Sequence, residues 1–219
     1  MAIPVIIMGK SGTGKSTSLR TMPENDFGLI NVIGKPLPFR TKINSLVTTD
    51  YETIKNALKG AKSKSIVIDD CGYLITDMFM TRHASAGKGN GVFSLYNDIG
   101  DSFYSLIRYI SMELPPDLIV YLIMHEDMDD SGQSKIKTIG RLLDEKVTIE
   151  GMVSVVIRST NDDGNYLFQV NGAGICKSPD GMFETEFIPN DLKLVDTIIR
   201  EYWDMAPLST YGGGDGDSQ

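Results

Sequence analysis

Gly9, Lys10, Ser11, Gly12, Thr13, Gly14, Lys15 and Ser16 follow one another near the start of the chain, with a further hydroxyl at Thr17. Their order fits G-x-x-x-x-G-K-[ST], the Walker A pattern. Glycines at these spacings let successive backbone N–H groups turn inward on phosphate oxygens, the lysine brings positive charge, and the Ser16 hydroxyl is placed to bind Mg²⁺. A helix opening straight after the loop adds the positive end of its dipole. The competing interpretation is a flexible Gly/Ser loop. The position between a buried strand and a helix favours a nucleoside triphosphate, so residues 9–17 are the expected phosphate cradle and Lys15 its central charge.

A bound triphosphate needs an acid to hold the metal's water shell, normally at the end of a neighbouring apolar strand. Ser65, Ile66, Val67 and Ile68 lead into Asp69 and Asp70, which supply it. Asp69 is expected on the metal side, and Asp70 is placed to orient an attacking water; the plainer reading is a strand end turning into solvent. A third apolar run, Leu118–Met124, ends in His125, Glu126 and Asp127. A polar side chain at the carboxyl end of a central parallel strand stands at the crevice where α/β proteins bind ligands. His125 is therefore a candidate sensor of the terminal phosphate, against a solvent-facing strand end or a satisfied core histidine. Lys15, Asp70 and His125 make up the expected catalytic set.

The elements that would carry these groups are legible in the apolar pattern. Ile3–Met8 is a buried strand with Pro4 near its start, and Ser16–Thr21 is helical until Pro23. Gly28–Ile33 and Ser45–Thr49 are further strand candidates around Pro36 and Pro38, and Tyr51–Leu58 places Ile54, Ala57 and Leu58 on one helical face. Phe93–Met112 repeats apolar residues at spacings of three and four and is closed by Pro115 and Pro116. Strands that are apolar throughout, alternating with helices, indicate an α/β fold with a mostly parallel sheet covered on both faces. Val153–Ile157 and Tyr166–Val170, around Asn161–Gly164, read as an antiparallel hairpin that extends the sheet at its C-terminal end. A last helix, Asp191–Trp203, is expected with Asn190 as its cap. One domain over 1–205 and a disordered, acidic Gly/Asp tail over 206–219 complete the expectation.

Composition narrows the partners. The 219 residues hold 21 Lys and Arg against 29 Asp and Glu, a net charge of −8. Such a surface repels a phosphate backbone on average, which excludes a histone-like binder and confines any nucleic-acid contact to local basic patches. Two cysteines, Cys71 and Cys176, and two histidines, His83 and His125, suggest reduced thiols and no zinc site. Without a long apolar run or a basic leader the expectation is no membrane span and a cytoplasmic protein.

Together, residues 9–17, Ile66–Asp70, Tyr121–Asp127, Gly151–Ser159, and Lys177, Ser178 and Pro179 ahead of Ile188–Asp191 resemble the RecA-like P-loop ATPase core. The closer resemblance is to the small phage recombination ATPases with single-strand annealing activity. That resemblance implies an ATP and Mg²⁺ site and a third strand lying between the two motif strands, with His125 beside the γ-phosphate. It also implies single-stranded DNA on two loops, the first carrying Arg82 and Lys88, the second Lys135, Lys137, Arg141 and Lys146. A homo-oligomer, ring or filament, would let Lys177 reach a neighbour's nucleotide, with a single-strand-binding protein as a further partner and the host cytoplasm as location. There is a departure: the strand after the Walker A helix, Leu29–Lys35, lacks the water-activating glutamate of RecA proteins. A weak, DNA-stimulated ATPase and strand annealing are the resulting expectation. A small-molecule P-loop kinase and a nucleotide-gated interaction module without a DNA role are the alternatives.

Overall fold

The computed structural model of the protein describes residues 1–24, 26–87, 89–139, 147–172 and 174–208. Strand β1, Ile3–Gly9, is central because its side chains are apolar on both faces. Ile6 and Met8 enter one hydrophobic cluster, and Val5 and Ile7 enter the other. Strands β4 (Ser65–Asp69) and β5 (Ile119–Met128) alternate in the same way: Ile66, Ile68, Val120 and Leu122 face the first cluster, while Val67, Tyr121 and Ile123 face the second. Only a sheet covered on both sides satisfies that pattern.

With β2 (Phe27–Asn31), β3 (Ser45–Val47), β6 (Ser134–Ile136), β7 (Val155–Asp162), β8 (Asn165–Gln169) and β9 (Phe187–Pro189), the main path runs β3-β2-β4-β5-β1-β7-β8-β9. From β3 to β7 every neighbour is parallel; β8 and β9 follow antiparallel. The expected mixed sheet with a C-terminal antiparallel extension is what forms. As the resemblance implied, β5 lies between β1 and β4, and its register sets His125 opposite Gly9. The β7–β8 turn uses Asp163 (φ 47°) and Gly164 (φ 89°), both left-handed, with Asn161 Oδ1 accepting from the Gly164 N–H at 2.9 Å.

Helices α1 (Tyr51–Lys59), α2 (Tyr73–Arg82) and α3 (Asn90–Glu113) cover one face through Ile54, Leu74, Phe103 and Ile107. A 3-10 helix at Ser16–Thr21 and helix α4 (Leu192–Tyr202) cover the other through Leu19, Val195 and Ile199. At the end of the sheet away from the phosphate loop, Asp196 accepts from Tyr121 Oη (2.9 Å) and Arg200 Nε (2.5 Å), and the Arg200 guanidinium also donates to Lys64 O at 2.7 Å. This buried network fastens α4 beneath β4 and β5.

Three sequence expectations change. Helix α4 is capped by Asp191, whose side chain accepts from Leu194 N, and not by Asn190, whose amide is spent on Ser159. Helix α2, absent from the sequence reading, has buried Leu74, Ile75 and Met78 but also exposed Tyr73 and Met80, so no apolar stripe announces it. The first basic loop is shortened accordingly, since α2 continues through Arg82 and α3 starts at Asn90.

Candidate functional site

Two glycines of the phosphate loop, Gly12 (φ 81°) and Gly14 (φ 91°), hold left-handed conformations that side-chain-bearing residues rarely adopt. At Gly9 the restriction is space: a Cβ there would lie 2.6 Å from Ser159 O and 2.7 Å from Thr13 Oγ1. The loop is pinned from the hairpin side, because Ser159 Oγ donates to Thr13 O at 2.6 Å and Asn190 Nδ2 donates to Ser159 Oγ at 3.1 Å.

Lys15 is buried under this loop. Its ammonium donates to Gly9 O and Lys10 O, each at 2.7 Å, so it is aimed along the inner wall where phosphate oxygens would compete for it. Burial pulls its pKa from 10.5 down to about 8, a fall that the Asp70 and Asp69 carboxylates limit. The next residue, Ser16, donates from Oγ to Asp69 Oδ1 at 2.9 Å, joining the two motif strands. Asp69 is fully buried; burial, reinforced by the neighbouring Asp70 charge, pushes its carboxyl above the usual range. Its other oxygen, Oδ2, is buried with no hydrogen-bond partner.

That orphaned acceptor beside a serine hydroxyl fits a divalent cation. Among the described residues no cluster of three His, Cys, Asp or Glu side chains forms a cage, so a hard cation here would draw its remaining ligands from phosphate and water. The two cysteines are free and buried.

Asp70 adopts a left-handed backbone (φ 58°) that turns its carboxylate toward the loop. Oδ1 stands 3.4 Å from His125 Nε2, and Oδ2 forms an ion pair with Lys35. Burial alone would raise the Asp70 pKa, but hydrogen bonds from His125 and Lys35 outweigh it and hold the carboxyl below its ordinary value. The His125 ring meets the Tyr73 ring edge-on, with centroids 5.8 Å apart. Gly14, Lys15, Thr17, Lys35, Asp70 and His125 share a cavity of about 350 Å³ with Tyr166. The site thus offers a glycine-shaped loop, a buried ammonium, a hydroxyl–carboxylate pair that fits a metal, and a carboxylate flanked by Lys35 and His125.

The nucleic-acid candidates divide. Lys135 lines one open groove with Arg158 and with Lys177, the residue expected to reach a neighbour's nucleotide. Lys137 lines a different cavity with Lys10 and His125, and its backbone N–H donates to His125 O at 2.8 Å. Arg82, in the last turn of α2, lines a surface hollow with Asp50, Glu52 and Asp77, an acidic setting for a phosphate contact. Lys88, Arg141 and Lys146 lie outside the described residues.

Sequence reasoning missed Lys35, Arg158, Ser159 and Asn190 as parts of the site. Arg158 is paired with the buried Glu126 through Nε at 2.8 Å and Nη2 at 3.0 Å, across the end of β1. The signal available for Lys35 was its place after Gly34 in the turn that follows β2; nothing local distinguished the others.

This sheet order, with the loop after β1 and an acid after β4, defines a P-loop ATPase domain. The AAA domain family matches residues 1–180, and the chain belongs to that family. Among curated proteins none matches it. Of solved structures, an ATPase from the type III secretion system of pathogenic bacteria is similar at 17% identity and a TM-score of 0.43, over 72% of this chain and 51% of that one. The match therefore spans about half of that protein's length.

Proposed function

We propose that the protein is an ATP- and Mg²⁺-binding, RecA-like ATPase that binds single-stranded DNA and promotes strand annealing in phage recombination, with ATP ordering the DNA-binding segment. One observation carries the reading: His125, in the phosphate cavity, is hydrogen-bonded through its backbone to Lys137, and β6 pairs with the outer part of β5 from Glu126 to Met128. A displacement of His125 by a terminal phosphate is thereby transmitted to the strand that carries Lys135 into the groove of Lys177.

Within this reading Lys15 draws the phosphates into the loop and Ser16 with Asp69 holds Mg²⁺, which supplies charge neutralisation at the phosphates when bound. Asp70 stays ionised, but its ion pair with Lys35 makes it a weak base, which suits slow hydrolysis. A homo-oligomer in which Lys177 faces a neighbour's nucleotide, and a single-strand-binding protein as partner, belong to the same proposal.

The test is a titration of labelled oligonucleotide against the wild type, Lys15→Ala and Lys135→Glu/Lys137→Glu, with and without a nonhydrolysable ATP analogue. Affinity is expected to rise with the analogue in the wild type and to lose that rise in Lys15→Ala. The double variant should lose DNA while keeping nucleotide. Equal binding with and without nucleotide rejects the coupling. A cavity of about 440 Å³ beside His125, lined by Tyr73, Ile75 and Ile139, favours a small-molecule kinase as second reading; phosphoryl transfer to a small acceptor would establish it.

A further inference from the structure

Lys35 stands where the sequence departs from the pattern it otherwise resembles, and the fold goes to some length to present it. The turn after β2 is held by Asn31, whose Nδ2 donates to Lys35 O at 2.6 Å and whose Oδ1 accepts from Gly34 N at 2.9 Å. Gly34 adopts φ 67° to close that turn, which fixes the backbone of Lys35 beside the end of β4. The side chain is about half exposed, lines the phosphate-loop cavity, and rests its ammonium on the inner oxygen of Asp70.

Charge makes the placement consequential. Without Lys35 the inner wall sets the single positive charge of Lys15 against the carboxylates of Asp69 and Asp70. With it, two ammonium groups face two carboxylates. A terminal phosphate entering this cavity brings further negative charge next to Asp70, and a lysine already neutralising that carboxylate offsets their repulsion. An ammonium has three donors, so Lys35 can keep donating to Asp70 and donate to a phosphate oxygen as well.

We propose that Lys35 is a ligand of the terminal phosphate, held in reserve on Asp70 and bridging that carboxylate to the phosphate once a triphosphate binds, so that the site separates triphosphate from diphosphate through a cation supplied by its own chain. This deepens the nucleotide-binding reading and rests on it. His125, on the opposite oxygen of Asp70, reports the same event to β6, which makes the Lys35–Asp70–His125 row the point where the two phosphate states diverge.

The experiment is calorimetric titration of Mg²⁺ with either ADP or a nonhydrolysable ATP analogue into the wild type, Lys35→Ala and Lys35→Arg, with melting temperatures of each protein alone. Wild type is expected to prefer the triphosphate analogue. Lys35→Ala should cut that preference on the order of tenfold by weakening the analogue while leaving ADP affinity unchanged, the loss expected of one charged hydrogen bond. Lys35→Arg should retain most of the preference. An unchanged ratio in Lys35→Ala, or equal losses for both nucleotides together with a lower melting temperature, would overturn the proposal and leave Lys35 a structural ion pair. Wild type that binds neither nucleotide would instead overturn the nucleotide site itself.

Discussion

Lys15 is stored in a place unfavourable to its own charge. Burial lowers its pKa to about 8, while binding phosphate requires the ammonium. Between about pH 8 and 10.5 the unfolded chain holds this proton and the nucleotide-free fold does not, so the contribution of Lys15 to stability rises with pH through that window. Nucleotide binding runs the other way. A phosphate beside the ammonium restores the proton, so binding above about pH 8 must take one up, and affinity should fall roughly tenfold per pH unit there. Calorimetry at pH 8.5 in two buffers of different ionisation heat measures the uptake directly; identical apparent enthalpies in the two buffers would contradict it. The residue scale also shows what a motif conveys. Gly9 to Ser16 announced the loop because each type has its own task, whereas Ser159 and Asn190, which pin the same loop from 140 or more residues away, are ordinary polar residues whose role exists only once β7 and α4 are in place.

Elements were legible where one physical demand ruled the whole segment. Strands β1, β4 and β5 are buried on both faces and so are apolar throughout, and α3 shows its stripe over 24 residues. Strands β6 and β9 have three residues each and are fixed by pairing with longer neighbours, which no local pattern encodes. The cap of α4 falls between these cases. Both Asn190 and Asp191 have capping side chains, and tertiary contacts decide: Asp191 accepts from Leu194 N at 3.1 Å and from Thr21 Oγ1 at 2.6 Å, joining the start of α4 to the end of the 3-10 helix. Asp191→Ala removes both bonds and is expected to cost about 1–2 kcal/mol, a melting point lower by roughly 2–8 °C in a chain of this size. Asp191→Asn keeps an acceptor and should lose less. Equal losses in the two variants would show that the carboxylate charge, and not the cap, is what α4 requires.

At the scale of the whole molecule, the proposed binding of single-stranded DNA sets a net charge of −8 against a polyanion. Among the described residues the basic candidates near β6 are few: Lys135 and Lys177 share one groove, Lys137 lines the cavity at His125, and Arg158 beside them is already committed to Glu126. The acidic remainder lowers affinity but displaces no counterions from DNA, so the salt dependence of binding counts only the phosphates actually contacted. The two described lysines of the second loop, Lys135 and Lys137, on a single strand give a slope of log affinity against log salt of about −1.4 per protomer. A Lys→Glu substitution at either should reduce that slope by roughly 0.7. A fluorescence-anisotropy series from low to moderate salt, with the ATP analogue saturating, measures both quantities. A slope near zero would remove these lysines as the interface, and a slope steeper than about −5 would require basic contacts beyond the groove, as an assembly presenting several copies along one strand supplies.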